Sequence, residues 1–417
     1  MRSRDRVELA LNYQEPDHPP LDLGGNPLCG IHVSVVYRLR QALKLDQPGM
    51  PVKVVEPHQM LGEVTPDLAD ALGSDVVGLT RPTTIFGFRK EGWKPWTTFD
   101  GTPVLVPAGF NTDPESNGDI LLYPQGDKSA PPSGRMRKGG SYFEAIIRRP
   151  AEDGVDWRVE DNLEEFGPLS DDELEHLGRE AERLYMETDK AIFADFGGLS
   201  FGDTALMPGL GLKCPKGIRD FETWYMALTR CRDLVRELFD RQCNIALGNL
   251  ARIYQVVGDR VTVVLASATD FGMQTGLMIS PRTYRELYKP FHRRLNDWIH
   301  QHTKWKTFIH SCGSIAPLVG DFVEAGFDIL NPLQCSASGM EPSALKKRFG
   351  GQLAFWGGVD GEYVLPFGAP DEVRKEVNNK MAALGPHGGY IVSPTSSIEP
   401  HTPVPNILAM VDAVRNT

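Results

Sequence analysis

Lys306-Thr307-Phe308-Ile309-His310-Ser311-Cys312-Gly313 is the stretch that decides the fold reading. An apolar strand runs up to Ile309, and residues 315–324 carry helical spacing, so His310 to Gly313 form a strand-to-helix corner. The same rhythm continues on both sides. Residues 260–266 read as a buried strand. Ser280-Pro281 opens a helix to about residue 299, with serine as cap and proline at its first position. Further strands are expected at 327–331, 353–356 and 390–393, alternating with helices at 341–349, 370–384 and 405–415. Upstream, 221–255 reads as one long helix or two, and 192–196 as another strand. Strands alternating with helices of this length imply parallel βαβ units. Their natural closure is α/β, a (β/α)8 TIM barrel spanning 1–417 as a single domain. A doubly wound sheet ranks second, because no glycine-rich dinucleotide fingerprint lies in the right context.

Residues 82–150 break the rhythm. They are rich in glycine, proline and aromatics (Trp93, Trp96, Phe99, Tyr123, Phe143), with turn signals at Asp100-Gly101 and Asn117-Gly118. Short alternating segments at 102–106 and 119–123 predict small antiparallel strands. The segment reads as an aromatic-rich β insertion in the N-terminal third, packed across the barrel as a lid. Residues 160–187 are acidic and polar and read as a solvated helical connection.

Composition narrows the function classes. A net charge of -11 argues against nucleic acid or an anionic membrane surface as partner. No window approaches 18 uninterrupted apolar residues, and the charged start Met1-Arg2-Ser3-Arg4 lacks an apolar signal core, so a cytoplasmic location is expected. Six scattered cysteines do not make a disulfide framework. Cys231 and Cys243 fall inside the long helical run as small buried hydrophobes, whereas Cys29 and Cys214 sit in loops.

Chemistry gathers at the strand ends, which share one rim in a barrel. Asp270 and Gln274 follow the 260–266 strand, and His310 and Cys312 follow the next one. Gln334 and Cys335 follow 327–331, Asp360 follows 353–356, and Ser396 follows 390–393. His310 and Cys312 are two residues apart on a strand end, so both side chains reach one point. Imidazole and thiolate suit zinc, yet the pair equally describes a buried thiol beside a hydrogen-bonded histidine. Cys335 is the candidate third ligand; three ligands favour an open site or no zinc. Asp360 also reads as a helix cap.

These runs resemble the uroporphyrinogen decarboxylase superfamily. The likeness is carried by His310-Ser-Cys-Gly, by Glu324-Ala-Gly-Phe-Asp-Ile-Leu-Asn-Pro-Leu-Gln334 and by Phe355-Trp-Gly-Gly-Val-Asp360. Pro403-Val-Pro-Asn-Ile-Leu-Ala-Met410 and Glu15-Pro-Asp-His-Pro-Pro20 add to it, and the insertion resembles one branch of the superfamily. The resemblance implies a (β/α)8 barrel and one of two activities: cofactor-free decarboxylation of a porphyrinogen, or corrinoid-dependent methyl transfer. The decarboxylases carry an early Arg-Gln-Ala-Gly-Arg motif for substrate carboxylates, where this chain has Asn26-Pro-Leu-Cys-Gly30. The thiol-activating methyltransferases carry His-x-Cys plus a distant cysteine; His310 and Cys312 match the first part, and Ser396 stands near the place of the second.

The expectation is therefore a corrinoid-dependent methyltransferase. It would move a methyl group from a small methylated substrate, an aryl methyl ether, to Co(I) on a separate corrinoid carrier protein. Cobalamin belongs to that partner, since no Asp-x-His-x-x-Gly motif is present. His310, Asp270 and Asp360 are the catalytic candidates, and Gln274, Gln334, Trp356 and Ser396 the substrate-binding ones. His310, Cys312 and Cys335 are the candidate zinc ligands. The alternative is a metal-free lyase built on Asp270 or Asp360, followed by a non-catalytic barrel that binds a methylated ligand.

Overall fold

A computed structural model describes residues 1–149 and 157–416. Seven strands form one parallel sheet: β1 (Val76–Thr80), β2 (Ala191–Asp195), β3 (Val263–Ser267), β4 (Lys306–His310), β5 (Ile329–Asn331), β6 (Ala354–Val359) and β7 (Tyr390–Pro394). They lie side by side in chain order, as βαβ units require. The sheet curls. Between its two edges sits an extended segment around Leu21. On one side Asp22 N donates to Val392 O at 2.9 Å, and on the other Asp75 N donates to Leu21 O at 2.7 Å.

Alternation sorts each strand's side chains. Val76, Phe193, Val263, Leu265, Phe308, Ile329, Trp356 and Ile391 make one enclosed cluster on the concave face. Phe193, Phe308 and Trp356 pack edge to face at its centre, with centroids 4.9 to 5.9 Å apart. The opposite set, including Leu79, Ile192, Val264, Ile309 and Leu330, packs under the helices. All strands point the same way, so their C-terminal residues meet on one rim.

Several boundaries differ from the sequence reading. β6 runs on to Val359, because Gly357 and Gly358 lie within the strand rather than in a turn. Gly357 has φ +128°, and a Cβ there would come 1.9 Å from the Pro332 carbonyl oxygen, so the two backbones touch. The 221–255 region is two helices, Phe221–Arg230 and Arg232–Val257, with Cys231 at the break rather than inside a helix. The 314–325 helix is shorter, a 3-10 turn followed by Val319–Glu324. The expected helix at 280–299 contains a π turn, Tyr284–Tyr288, before Lys289–His302.

The acidic 160–187 stretch holds the expected helical connection, solvated on one face only. Its helix, Asp171–Glu187, buries Leu174, Leu177, Ala181 and Leu184, and Ser170 with Glu173 forms a capping box. Residues 82–149 hold short strands in two small sheets; residue 150 of the expected insertion lies outside the described residues. Lys94–Thr97 and Pro103–Val106 join Val52–Glu56 and Leu61–Gly62, and the remaining four strands are antiparallel. Trp96, Phe110, Phe143 and Phe86 interlock there at 5.3 to 6.2 Å. Among the described residues, no helix is long and apolar enough to cross a membrane.

Candidate active site

The ends of β3 and β4 bring three donors together. His310 closes β4, Cys312 follows in the turn, and Asp270 comes from the loop after β3. His310 Nε2 lies 3.3 Å from Cys312 Sγ and 4.0 Å from Asp270 Oδ1. All three donor atoms fall within 4.8 Å of one another. The arrangement is tied down by backbone: Cys312 N donates to Asp270 Oδ1 at 2.7 Å, and Phe271 N donates to Ser311 Oγ at 2.9 Å. Gly272 packs against the turn so closely that a Cβ would sit 2.7 Å from Cys312 O. Burial pushes the Cys312 thiol well above its ordinary value, and the Asp270 carboxylate pushes it further.

Such a set fits a divalent cation. A thiol and a carboxylate held together repel once both ionise, and a cation removes that conflict. Tetrahedral zinc with ordinary bond lengths sets donor-to-donor distances of about 3.4 to 3.6 Å, bracketed by the spacings seen. His310, Cys312 and Asp270 would hold the ion and leave a fourth position open.

The other sequence candidates are placed differently. Gln334 turns back to the site: its Oε1 accepts from Gly313 N at 2.9 Å, and its Nε2 donates to Glu362 Oε1 at 2.6 Å. Gln274 Nε2 donates to Ser336 O at 2.9 Å and bridges two rim loops. Cys335 does not join the cluster. Its thiol donates to Leu333 O at 3.2 Å and faces Lys380 and Glu376 on the Pro370–Leu384 helix, because neighbouring residues point to opposite sides and Gln334 takes the inward place. Asp360 caps the next turn, its Oδ1 accepting from Glu362 N and Tyr363 N at 2.9 and 2.8 Å. Ser396 packs over Gly361 on the β6–β7 arc, where an added Cβ would meet its Oγ at 2.6 Å. Trp356 has no exposed surface; it fills the concave core and its Nε1 donates to Asp22 Oδ2 at 3.0 Å.

Sequence reasoning missed three groups. Asn331 Oδ1 lies 2.6 Å from His310 Nδ1. Asp203, in the glycine-rich loop after β2, is raised to about 7 by desolvation, with Asp270 and Asp195 adding to the effect. Neither residue carries a periodic or spacing signal. The third is Asp22, fully buried and accepting from Trp356 Nε1, Gly25 N and Asn26 N. Desolvation pushes its carboxyl up to about 6. The folded chain therefore holds a proton that the unfolded chain releases near an ordinary carboxyl value of about 4. That contribution to stability is full below the ordinary value and is lost as pH rises through 6. Urea midpoints for Asp22→Asn are expected to lose this fall across that window, while the wild type keeps it.

A charged cavity of about 270 Å³ lies at the opposite end of the strands, beside Arg6, Asp75, Lys190 and Arg415. Arg6 pairs with Asp75 at 2.6 Å and Lys190 with Asp70 at 2.8 Å, while Arg415 donates to the Asp70 and Ala71 carbonyls at 3.1 Å, which suits a stabilising role for this end.

Residues 214–417 match the family model of uroporphyrinogen decarboxylase (URO-D). That stretch is just under half of the chain. The URO-D match covers β3 to β7, and with them Asp270, His310 and Cys312. The superfamily the sequence resembles is thus the right one. The chain is 21% identical over 196 residues to methylcobamide:CoM methyltransferase MtaA of Methanosarcina barkeri (strain Fusaro / DSM 804). That alignment takes in 47% of this chain and 52% of the relative, so the chain spans about half the length of the curated relative it matches. A methyltransferase from Methanosarcina mazei has the same fold, with a TM-score of 0.55 at 16% identity over 100% of this chain and 99% of that one.

Proposed function

We propose that this chain is a corrinoid-dependent methyltransferase, taking a methyl group from an aryl methyl ether to Co(I) on a separate corrinoid carrier protein. The observation that carries the reading is the convergence of His310 Nε2, Cys312 Sγ and Asp270 Oδ1 at one point of the rim. The resemblance to a methylcobamide-using enzyme supports it. In the architecture we infer, Leu21 closes an eight-membered barrel of one domain, and the 82–149 segment lies over its mouth. Contacts of Arg148 with Leu212 and Gly209, and of Gln125 with Gly211, support that placement by tying the segment to the loop after β2.

An aryloxide is a poor leaving group near neutral pH, so its oxygen needs a proton or an electrophile as the methyl departs. Zinc, when bound, supplies that electrophile as a Lewis acid. His310, Cys312 and Asp270 would hold the ion beside the leaving oxygen, Gln334 and Gln274 hold the rim loops that shape its pocket, and the covering segment excludes water. Asp360 and Ser396 border the pocket on the β6–β7 arc, and Cys335 stands outside it.

The test is an anaerobic absorption assay with Co(I)-cobalamin and a panel of methoxylated aromatics, with metal content measured on the same sample. Methyl-Co(III) is expected with the methoxyarenes, together with about one zinc per chain, the number one three-ligand site holds. Absence of methyl transfer with both free cobalamin and a corrinoid carrier protein overturns the reading. Carbon dioxide release from a carboxylated substrate would put a lyase in its place.

A further inference from the structure

His310 and Asn331 face each other across β4 and β5, in register, with Ser311 N donating to Asn331 O at 2.9 Å. The Asn331 side chain is completely buried and has three neighbours. Its Nδ2 donates to Trp356 O at 3.0 Å and lies 3.8 Å from Cys29 Sγ; its Oδ1 lies 2.6 Å from His310 Nδ1. A backbone carbonyl only accepts, so the amide NH2 must face Trp356. The amide oxygen is then left facing the imidazole, and because it too only accepts, Nδ1 must carry the hydrogen. The lone pair is left on Nε2, the atom that faces Cys312 and Asp270.

We propose that Asn331 is a positioning residue: it locks His310 in the Nδ1–H tautomer and so makes Nε2 the coordinating or proton-accepting atom of the site. The Asn331 orientation is itself held from below. Trp356, whose carbonyl receives the amide, is pinned by its own Nε1 to buried Asp22. A line of contacts thus runs from Asp22 through Trp356 and Asn331 to His310 on the rim; the Trp356 carbonyl sets the direction of the amide, and the amide oxygen sets that of the imidazole. A free histidine side chain in water favours the Nε2–H tautomer, so a partner that accepts at Nδ1 changes which nitrogen does the chemistry.

The inference rests on the reading that His310 is a working residue of the site, but its test needs neither corrinoid nor methyl donor. Nitrogen NMR of histidine-labelled protein, recorded with the imidazole neutral, reports which ring nitrogen is protonated; the His310 signals are those missing in His310→Gln. The wild type is expected to show hydrogen on Nδ1. Asn331→Leu is expected to lose that preference and to weaken zinc binding about tenfold to a hundredfold. Asn331→Asp keeps an acceptor for His310 but loses the donor to Trp356 O. It is expected to keep the Nδ1–H signature and near-normal zinc affinity. Equal loss in both variants would show Asn331 to be a brace for Trp356 alone and overturn the proposal. Hydrogen on Nε2 in the wild type would overturn it as well, whether or not either variant folds. A failed methyl-transfer assay beside an intact Nδ1–H signature would sink the functional reading and leave this one standing.

Discussion

His310→Ala is expected to abolish methyl transfer while the chain still folds. The imidazole reaches three members of the cluster: it contacts Cys312, Asp270 and Asn331. Removing it takes away the proton-transfer or coordinating atom, a loss of about a hundredfold to ten-thousandfold for acid–base chemistry alone. The structural cost is small by comparison. Asn331 Oδ1 is left without its donor, worth about 1 to 3 kcal/mol, and the strand ladder of β4 with β5 is backbone and survives. Turnover and a urea melt on the same preparation separate the two effects. Undiminished turnover in a folded His310→Ala protein would remove His310 from the mechanism.

Trp356→Ala is expected to have the largest effect on stability. The sequence reading places this residue against substrate, whereas the structure seals it inside the strands against Phe193 and Phe308. Truncating a fully buried tryptophan costs about 3 to 5 kcal/mol through lost burial and the cavity left behind. The change also strips buried Asp22 of its indole donor, a further penalty of about 1 to 3 kcal/mol. Together these approach the whole stability of an ordinary domain, about 5 to 15 kcal/mol. Trp356→Phe keeps most of the packing and loses only the donor, so its expected cost is about 1 to 3 kcal/mol. Urea unfolding of the two variants checks the ordering. A Trp356→Ala protein of near-normal stability with a raised KM would return the residue to the substrate pocket.

Trp356 and His310 differ in where the folded chain takes them. Both lie at or near strand ends in the sequence, yet β6 runs three residues past Trp356 before it reaches the rim. The Gly357-Gly358 pair there lets the strand pass close to the Pro332 carbonyl. Cys335 and Gln334 fail as a pair for a similar reason. Adjacent residues after β5 point to opposite sides, and only packing against Gly313 and Lys380 decides which of them faces in. Asp270 was legible as a strand-end carboxylate; that it takes the third place beside His310 and Cys312 was not.

By itself the sequence determined the alternating parallel architecture, because periodicity and caps are local and read directly from residue type. It also determined that His310 and Cys312 reach one point, since two residues apart on a strand end is a geometric statement. Tertiary structure alone decided the partners across strands: Asp270 from β3, Asn331 opposite His310 on β5, and Asp22 under Trp356. Those choices depend on strand register and on which backbone groups compete for each buried polar atom. Register and competition join residues far apart in the chain, and no local pattern records them.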